Sequence, residues 1–294
     1  MSYDPHSTAR AGVVLPPSPQ VRLVPRTPSA TSRSWPVDLP ESGSWKVTGA
    51  AGSGVSSFLI DTVIHALDRA QETGADPSGI LVIAPSKESG ARLRRELSER
   101  LENYAAQTSM VRSVHSLAFA LLRTAAEEEL RLITGAEQDA VIRELLIGQA
   151  EDGHGSWPEE MRPALEYVGF ARQLRDFLLR SIERGLGPGD LERLGHEYGR
   201  PMWSAAGEFL REYERVQLLS RSHSYSAAEL VTAVLQRPEL LRDHPFHTIV
   251  VDDAQLLDPT AGKLILGLAA QANLVVVGGD TAQSVFAFRG ASSR

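Results

Sequence analysis

Apolar residues fall along this chain in two kinds of run. Short continuous ones occur at Ile80–Ala84 (ILVIA), Thr248–Val251 (TIVV) and Leu274–Val277 (LVVV), with weaker strand-like stretches at Trp45–Thr48 and Met110–Val114. Continuous rather than alternating apolar character predicts strands covered on both faces, as in a parallel sheet flanked by helices. Between them, SSFLIDTVIHALDRAQETG places Phe58, Leu59, Val63, Ile64 and Leu67 at helical spacing, with Gly74 as the stop. From Phe119 to His247 the pattern turns to long helices. Thr134-Gly135-Ala136-Glu137 and Ser226-Ala227-Ala228-Glu229 are capping boxes, and Gly185, Gly187-Pro188-Gly189 and Gly199-Arg200-Pro201 punctuate the rest. The pattern therefore predicts an α/β core over 41–120 and 245–294, interrupted by a mostly helical insert over 121–244 with no strand of its own. FARQLRDFLLRSIERG carries Arg172, Arg175, Arg180 and Arg184, which Asp176 and Glu183 offset; it reads as a solvated helix face. The first 40 residues hold eight of the 17 prolines without a helical or strand period, which predicts an irregular arm.

Composition narrows the chemistry. At 294 residues and 42% hydrophobic content the chain can bury a sizeable core. It has no cysteine, which excludes disulfides, thiolate zinc cages and iron–sulfur ligands here and fits a reducing, cytoplasmic setting. No signal-peptide core and no membrane-length apolar run is present, so a soluble protein without membrane contact is expected. The net charge of −7 argues against gripping nucleic acid by bulk positive charge, so such contact must be local. Only Lys46, Lys87 and Lys263 are lysines.

Three motifs carry candidate chemistry. GAAGSGVSS, Gly49 to Ser57, has the glycine spacing of a phosphate-binding loop, but Val55 stands where that loop places its lysine. A small-residue turn is the plain alternative; the strand before it and the helix after it supply the context a phosphate loop needs. TIVVDDAQ puts Asp252 and Asp253 at the end of a strand, where ligands of parallel sheets bind; Asp252 is placed to hold Mg²⁺ and Asp253 to orient a water. LVVVGGDTAQSVFAFRGAS is the most discriminating: Gln283 can hydrogen-bond a γ-phosphate, and Phe288 can stack on a base or be a core aromatic.

Taken with IAPSKESGARLRREL and VHSLAFALLR, these motifs occur in the order of the superfamily-1 DNA helicases of the UvrD/Rep type, whose nucleotide-binding first half this chain resembles. The arm, the degenerate loop and TGAEQDAVIREL are most similar to the AdnA-type subunits of actinobacterial AdnAB helicase–nucleases. The resemblance implies a RecA-like P-loop fold, ATP and Mg²⁺ as cofactors, and single-stranded or duplex-end DNA and a second helicase–nuclease subunit as partners. Residue by residue, Gly49, Gly52, Gly54, Val55, Ser56 and Ser57 match the phosphate loop, with Ser56 and Asp252 toward the metal. Asp253, Gln283 and Arg289 match catalytic positions, and Ser86, His115, Ser116, Phe119 and Phe288 match segments along the DNA path.

Departures from the family pattern matter as much. Val55 removes a cation from the phosphates, Asp253 replaces a glutamate, and no adenine-contacting glutamine motif precedes the loop. Losing one preorganised charge costs ~10²–10³ in rate, and a misplaced base ~10²–10⁴. The chain also stops at Arg294, before the second RecA-like domain that completes such a site, and so reads as a fragment. The expected function is a helicase-family subunit acting in DNA unwinding, end processing and repair, serving mainly to bind DNA and its partner because its ATP site is degenerate. The alternatives are a slow 3′–5′ helicase in which Lys46 or an arginine replaces the lost lysine, and a non-helicase P-loop protein.

Overall fold

The computed structural model describes residues 34–101, 110–126, 129–220 and 224–284. Most of the expected arm over 1–40 lies outside them. Five strands, β1 (Gly43–Thr48), β2 (Ile80–Ala84), β3 (Val111–Ser113), β6 (Thr248–Val251) and β7 (Leu274–Gly279), form one sheet in the order β1-β7-β6-β2-β3. Every pairing is parallel. β2 and β6 match their apolar runs residue for residue. β3 ends a residue earlier than the pattern predicts, because Val114 already belongs to the helix capped by the Ser113 hydroxyl. β7 runs two residues further, since Gly278 and Gly279 continue the ladder against Val47 and Thr48.

Alternate residues of the strands serve opposite faces. Ile80, Val82, Val250 and Val276 pack with α1 (Val55–Thr73) and α2 (Lys87–Arg100). Leu81, Ile83, Ile249 and Val251 pack with α3 (Val114–Ala125), α8 (Ala227–Leu235) and α10 (Pro259–Ala269). This covering of both faces is what a continuous apolar strand requires. α1 begins at Gly54 and ends at Gly74, both left-handed, as glycine allows without the steric cost of a β-carbon. Its Leu59 is 1% exposed; truncating such a residue to alanine typically costs about 2–5 kcal/mol. The buried Asp61 of α1 is paired with Arg100 of α2.

A third apolar cluster, centred on Phe209 with Ile142, Leu146, Trp157, Leu174 and Leu178, joins α4 (Gly135–Asp152), α5 (Val168–Glu183), α6 (Pro188–Glu197) and α7 (Pro201–Ser220). Both capping boxes form: the Glu137 and Glu229 amides donate to Thr134 and Ser226, and each glutamate accepts from its own cap residue's amide. On α5, Arg175 pairs with Asp139 at 2.8 Å and Arg180 pairs with Glu183, so its arginines are neutralised within the insert. A strand pair was not expected there. β4 (Arg131–Leu132) and β5 (Ser224–Tyr225) nevertheless pair in parallel. Two-residue strands carry no period, so the sequence had no signal for them. α8 and the short α9 (Pro238–Arg242) share the sheet's apolar cluster rather than that of α4 to α7.

Candidate functional site

Strand order assembles the site. β6 and β7 lie between β1 and β2, so the carboxyl ends of β1, β7 and β6 are neighbours although a long stretch of chain separates β1 from the other two. The turn after β1, the two aspartates after β6 and the Gly279-Asp280 step after β7 therefore meet at one edge of the sheet, where parallel sheets take ligands.

The turn at Gly49–Gly54 is compact. Ser53 N–H donates to the Ala50 carbonyl at 3.0 Å, and Gly52 and Gly54 have φ of 79° and 98°. A β-carbon at Gly49 would overlap the Ser53 hydroxyl and lie 3.0 Å from Val55 Cγ2. Val55 opens α1 and packs against the α1/α2 side of the core. Its Cγ1 would lie 2.9 Å from a β-carbon at Gly278, so the side chain sits in the gap that two bare glycines leave. No cation stands at this position. Backbone amides at the start of α1 still provide the partial positive charge of a helix N-terminus. Ser57 follows in the first turn, partly buried.

Ser56 Oγ donates to Asp252 Oδ1 at 2.9 Å. Both are hard oxygen donors of the kind Mg²⁺ takes beside substrate phosphates, so the residues present fit that ion. Among the described residues no group of three or more His, Cys, Asp or Glu gathers as a complete metal cage. The other oxygen, Asp252 Oδ2, faces Arg92 Nη2 of α2 at 3.3 Å, and Asp253 Oδ2 lies 3.8 Å from the same nitrogen. Burial, then the adjacent Asp253, hold the Asp252 carboxyl above the usual carboxylate range, while Ser56 and Arg92 pull it back. Asp253 takes a left-handed backbone, φ 49° and ψ 45°, a conformation that Asp tolerates better than most residues.

Gln255 joins the second motif to the third. It is buried; its Nε2 donates to Asp253 Oδ1 at 3.2 Å, its Oε1 accepts from Asp280 N–H at 3.1 Å, and its carbonyl accepts from Ser284 Oγ at 3.1 Å. Gly279 leaves the room this side chain needs, since a β-carbon there would overlap its Oε1. Gln283 donates to Asp280 Oδ2 at 2.8 Å. Sequence reasoning passed over Gln255, whose signal was its place two residues after the aspartate pair in VVDDAQ. It also passed over Arg92, which no local pattern marks.

Lys46 does not stand in for the missing lysine. It pairs in register with Val277, whose side chain joins the α3/α8/α10 side of the core, and so shares the sheet face opposite α1. There it lines a cleft of about 200 Å³ with Gln255, Asp280 and Thr281.

The described residues expected along a DNA path follow β2 and β3, at the α2 cap and in α3. Ser86 caps α2 by accepting from Ser89 N–H at 3.1 Å. His115 and Ser116 sit in the first turn of α3, with Ser116 exposed and the His115 pKa lowered by burial against a weaker upward pull from Asp258. Phe119 packs partly buried on the core. Phe288 and Arg289 lie outside the described residues.

Comparison with known proteins agrees with this architecture. The family model described as UvrD/REP helicase N-terminal domain matches residues 32–294. The chain is 24% identical over 256 residues to the ATP-dependent DNA helicase PcrA of Staphylococcus aureus, covering 83% of this chain and 32% of that protein. It is 25% identical over 266 residues to the putative ATP-dependent DNA helicase YjcD of Bacillus subtilis, covering 84% and 31%. The chain thus spans about a third of the length of these curated relatives.

Proposed function

We propose that this chain, which belongs to the UvrD/REP helicase N-terminal domain family, is the first motor half of an ATP-dependent DNA helicase subunit whose own nucleotide site is degenerate. It serves mainly to bind single-stranded or duplex-end DNA and a second helicase–nuclease subunit that hydrolyses ATP, in end processing and repair. The observation that carries this reading is Val55, seated between Gly49 and Gly278 where a cation should meet the phosphates. The AdnA-type assignment rests on the same substitution together with the proline-rich arm and the segment TGAEQDAVIREL. On this reading 41–120 and 245–294 belong to a RecA-like core and 121–244 to a helical insert, of which α4 to α7 have an apolar cluster of their own while α8 and α9 pack with the sheet. ATP and Mg²⁺ are the cofactors, their binding weakened or lost, and the cytoplasm is the compartment. Among the described residues no helix is long and apolar enough to cross a membrane.

If bound, Mg²⁺ would be held by Ser56 and Asp252 and would supply charge neutralisation at the phosphates. The chain's own residues then orient the site: Gln255 holds Asp253, and the α1 amides meet phosphate oxygens. The test is Ser56→Ala or Asp252→Ala in the full-length protein within its native complex. ATP hydrolysis and unwinding should stay within about twofold, against the ~10²-fold loss a working site suffers.

The intact Ser56–Asp252 contact favours a second reading, a slow 3′–5′ helicase. Loss of most of the complex's ATPase on Ser56→Ala would establish it in place of the first. Family membership sets aside a non-helicase P-loop protein.

A further inference from the structure

The Asp252–Asp253 pair already has a cation. Arg92 reaches it from the middle of α2, 160 residues away in sequence, with Nη2 at 3.3 Å from Asp252 Oδ2 and 3.8 Å from Asp253 Oδ2. The remaining oxygen of each carboxylate is also used, since Ser56 Oγ donates to Asp252 Oδ1 and Gln255 Nε2 donates to Asp253 Oδ1. All four carboxylate oxygens therefore face a protein donor, and Arg92 is the one charged donor among these three. Its side chain is 50% exposed while that of Asp252 is 1% exposed. The guanidinium thus lies over the outer side of a buried acid, with solvent behind it into which it can turn.

We propose that Arg92 is an internal counter-ion that competes with divalent metal for the Asp252–Asp253 carboxylates, so that metal enters only when Arg92 turns out. A guanidinium and a divalent ion on the same oxygens repel each other, and within about 4 Å that repulsion is barely screened where one side is buried. The competition also follows from geometry. Asp252 Oδ1 is already shared with Ser56, which leaves Oδ2 as the outward oxygen, and Arg92 covers it. This inference deepens the degenerate-site reading, on which it rests for the identity of the site. It gives that site a second element of inactivation, acting on the metal as Val55 acts on the phosphate.

Mn²⁺ alone is the probe, its free concentration read by electron paramagnetic resonance during titration of the full chain. Arg92→Gln, which keeps a polar donor without the charge, should bind Mn²⁺ about tenfold or more tighter than wild type, the low end of what an opposite charge at this distance does to a carboxylate. Arg92→Lys keeps the charge and should stay near wild type. Adding Asp252→Asn to Arg92→Gln should return affinity to the wild-type level, which locates the ion. Unchanged Mn²⁺ binding in Arg92→Gln overturns the proposal, as does a wild-type chain that loses a tight Mn²⁺ site on Asp252→Asn alone. Should Arg92→Gln not fold, Arg92→Met, which keeps the aliphatic stem, gives the same readout. The two readings fail separately: a complex that loses its ATPase on Ser56→Ala while Arg92→Gln still tightens Mn²⁺ ends the degenerate-motor reading and leaves the counter-ion in place.

Discussion

Ser56 and Asp252 stand 196 residues apart in the chain and 2.9 Å apart in space, hydroxyl to carboxylate. The contact exists because β6, which carries Asp252 at its end, lies one strand from β1's neighbour β7 and brings the acid under the first turn of α1. Burial first and Asp253 second push the acid's titration upward, and the contact with Ser56 pulls it part of the way down.

A raised carboxylate pKa means that the native state binds the proton more readily than the unfolded chain. Between the unfolded and folded values the native state is the more protonated, so this group's contribution to stability falls as pH rises through that window. Asp252→Asn removes the dependence. Urea midpoints against pH should decline less for Asp252→Asn than for wild type from the ordinary carboxylate range upward; parallel curves would refute the assignment.

The Gln255–Gly279 contact predicts a coupled pair. Gly279→Ala drives a β-carbon onto Gln255 Oε1, and Gln255→Ala leaves the Asp280 amide without this partner. Each alone should cost about 1–3 kcal/mol of stability. In the Gln255→Ala background the alanine at 279 meets only the Ala254 amide nitrogen closely, at 3.3 Å, and should cost less than in wild type, so additive losses in a double-mutant cycle would show that the two do not touch.

Restoring the family's residues should carry a stability cost. Val55→Lys must thread a longer stem past Gly49 and Gly278, an overpacking worth about 1–3 kcal/mol. Asp253→Glu puts a residue less suited to the left-handed region at φ 49°, which should cost a few tenths to about 1 kcal/mol. Together in the full-length protein they should raise nucleotide affinity at lower thermal stability. A gain in both would mean that Val55 is not wedged as described.

His244 predicts an acid-sensitive edge of the fold. Its Nε2 meets the Leu268 carbonyl at 3.0 Å, and its Nδ1 accepts from Phe246 N–H at 3.1 Å, which requires a neutral ring. Burial lowers its pKa against a weaker upward pull from the Leu268 contact. The unfolded chain then binds the proton more readily, so stability present above the ordinary histidine value of about 6.5 is lost as pH falls below it. Denaturation at about pH 7.5 and about pH 5.5, roughly one unit either side of that value, should separate wild type from His244→Asn, with the variant showing the smaller drop.

Phe288, which lies outside the described residues, is the aromatic of the third motif that the family resemblance implies would stack on single-stranded DNA. Phe288→Ala should weaken binding by ~1–3 kcal/mol, the worth of a base–aromatic stack. Unaltered affinity in a variant with an unchanged circular dichroism spectrum would take Phe288 off the DNA path.

Local physics was legible in the sequence. The limits of β2 and β6, the stop of α1 at Gly74 and both capping boxes follow from interactions among residues at most a few places apart, and each was found where the pattern put it. The positions of the three motifs after β1, β6 and β7 were legible too, because glycines and paired aspartates beside apolar runs mark strand ends in short strings. What only the tertiary structure decided is who meets whom. Strand order brings β6 and β7 between β1 and β2, places Lys46 on the sheet face away from α1, and lets Arg92 close on Asp252. It also gives α8 to the sheet's core and joins β4 to β5 across the insert. These relationships depend on through-space packing between segments on the order of 100–200 residues apart, where loop length hardly alters the cost of closure and therefore leaves no trace in the local pattern.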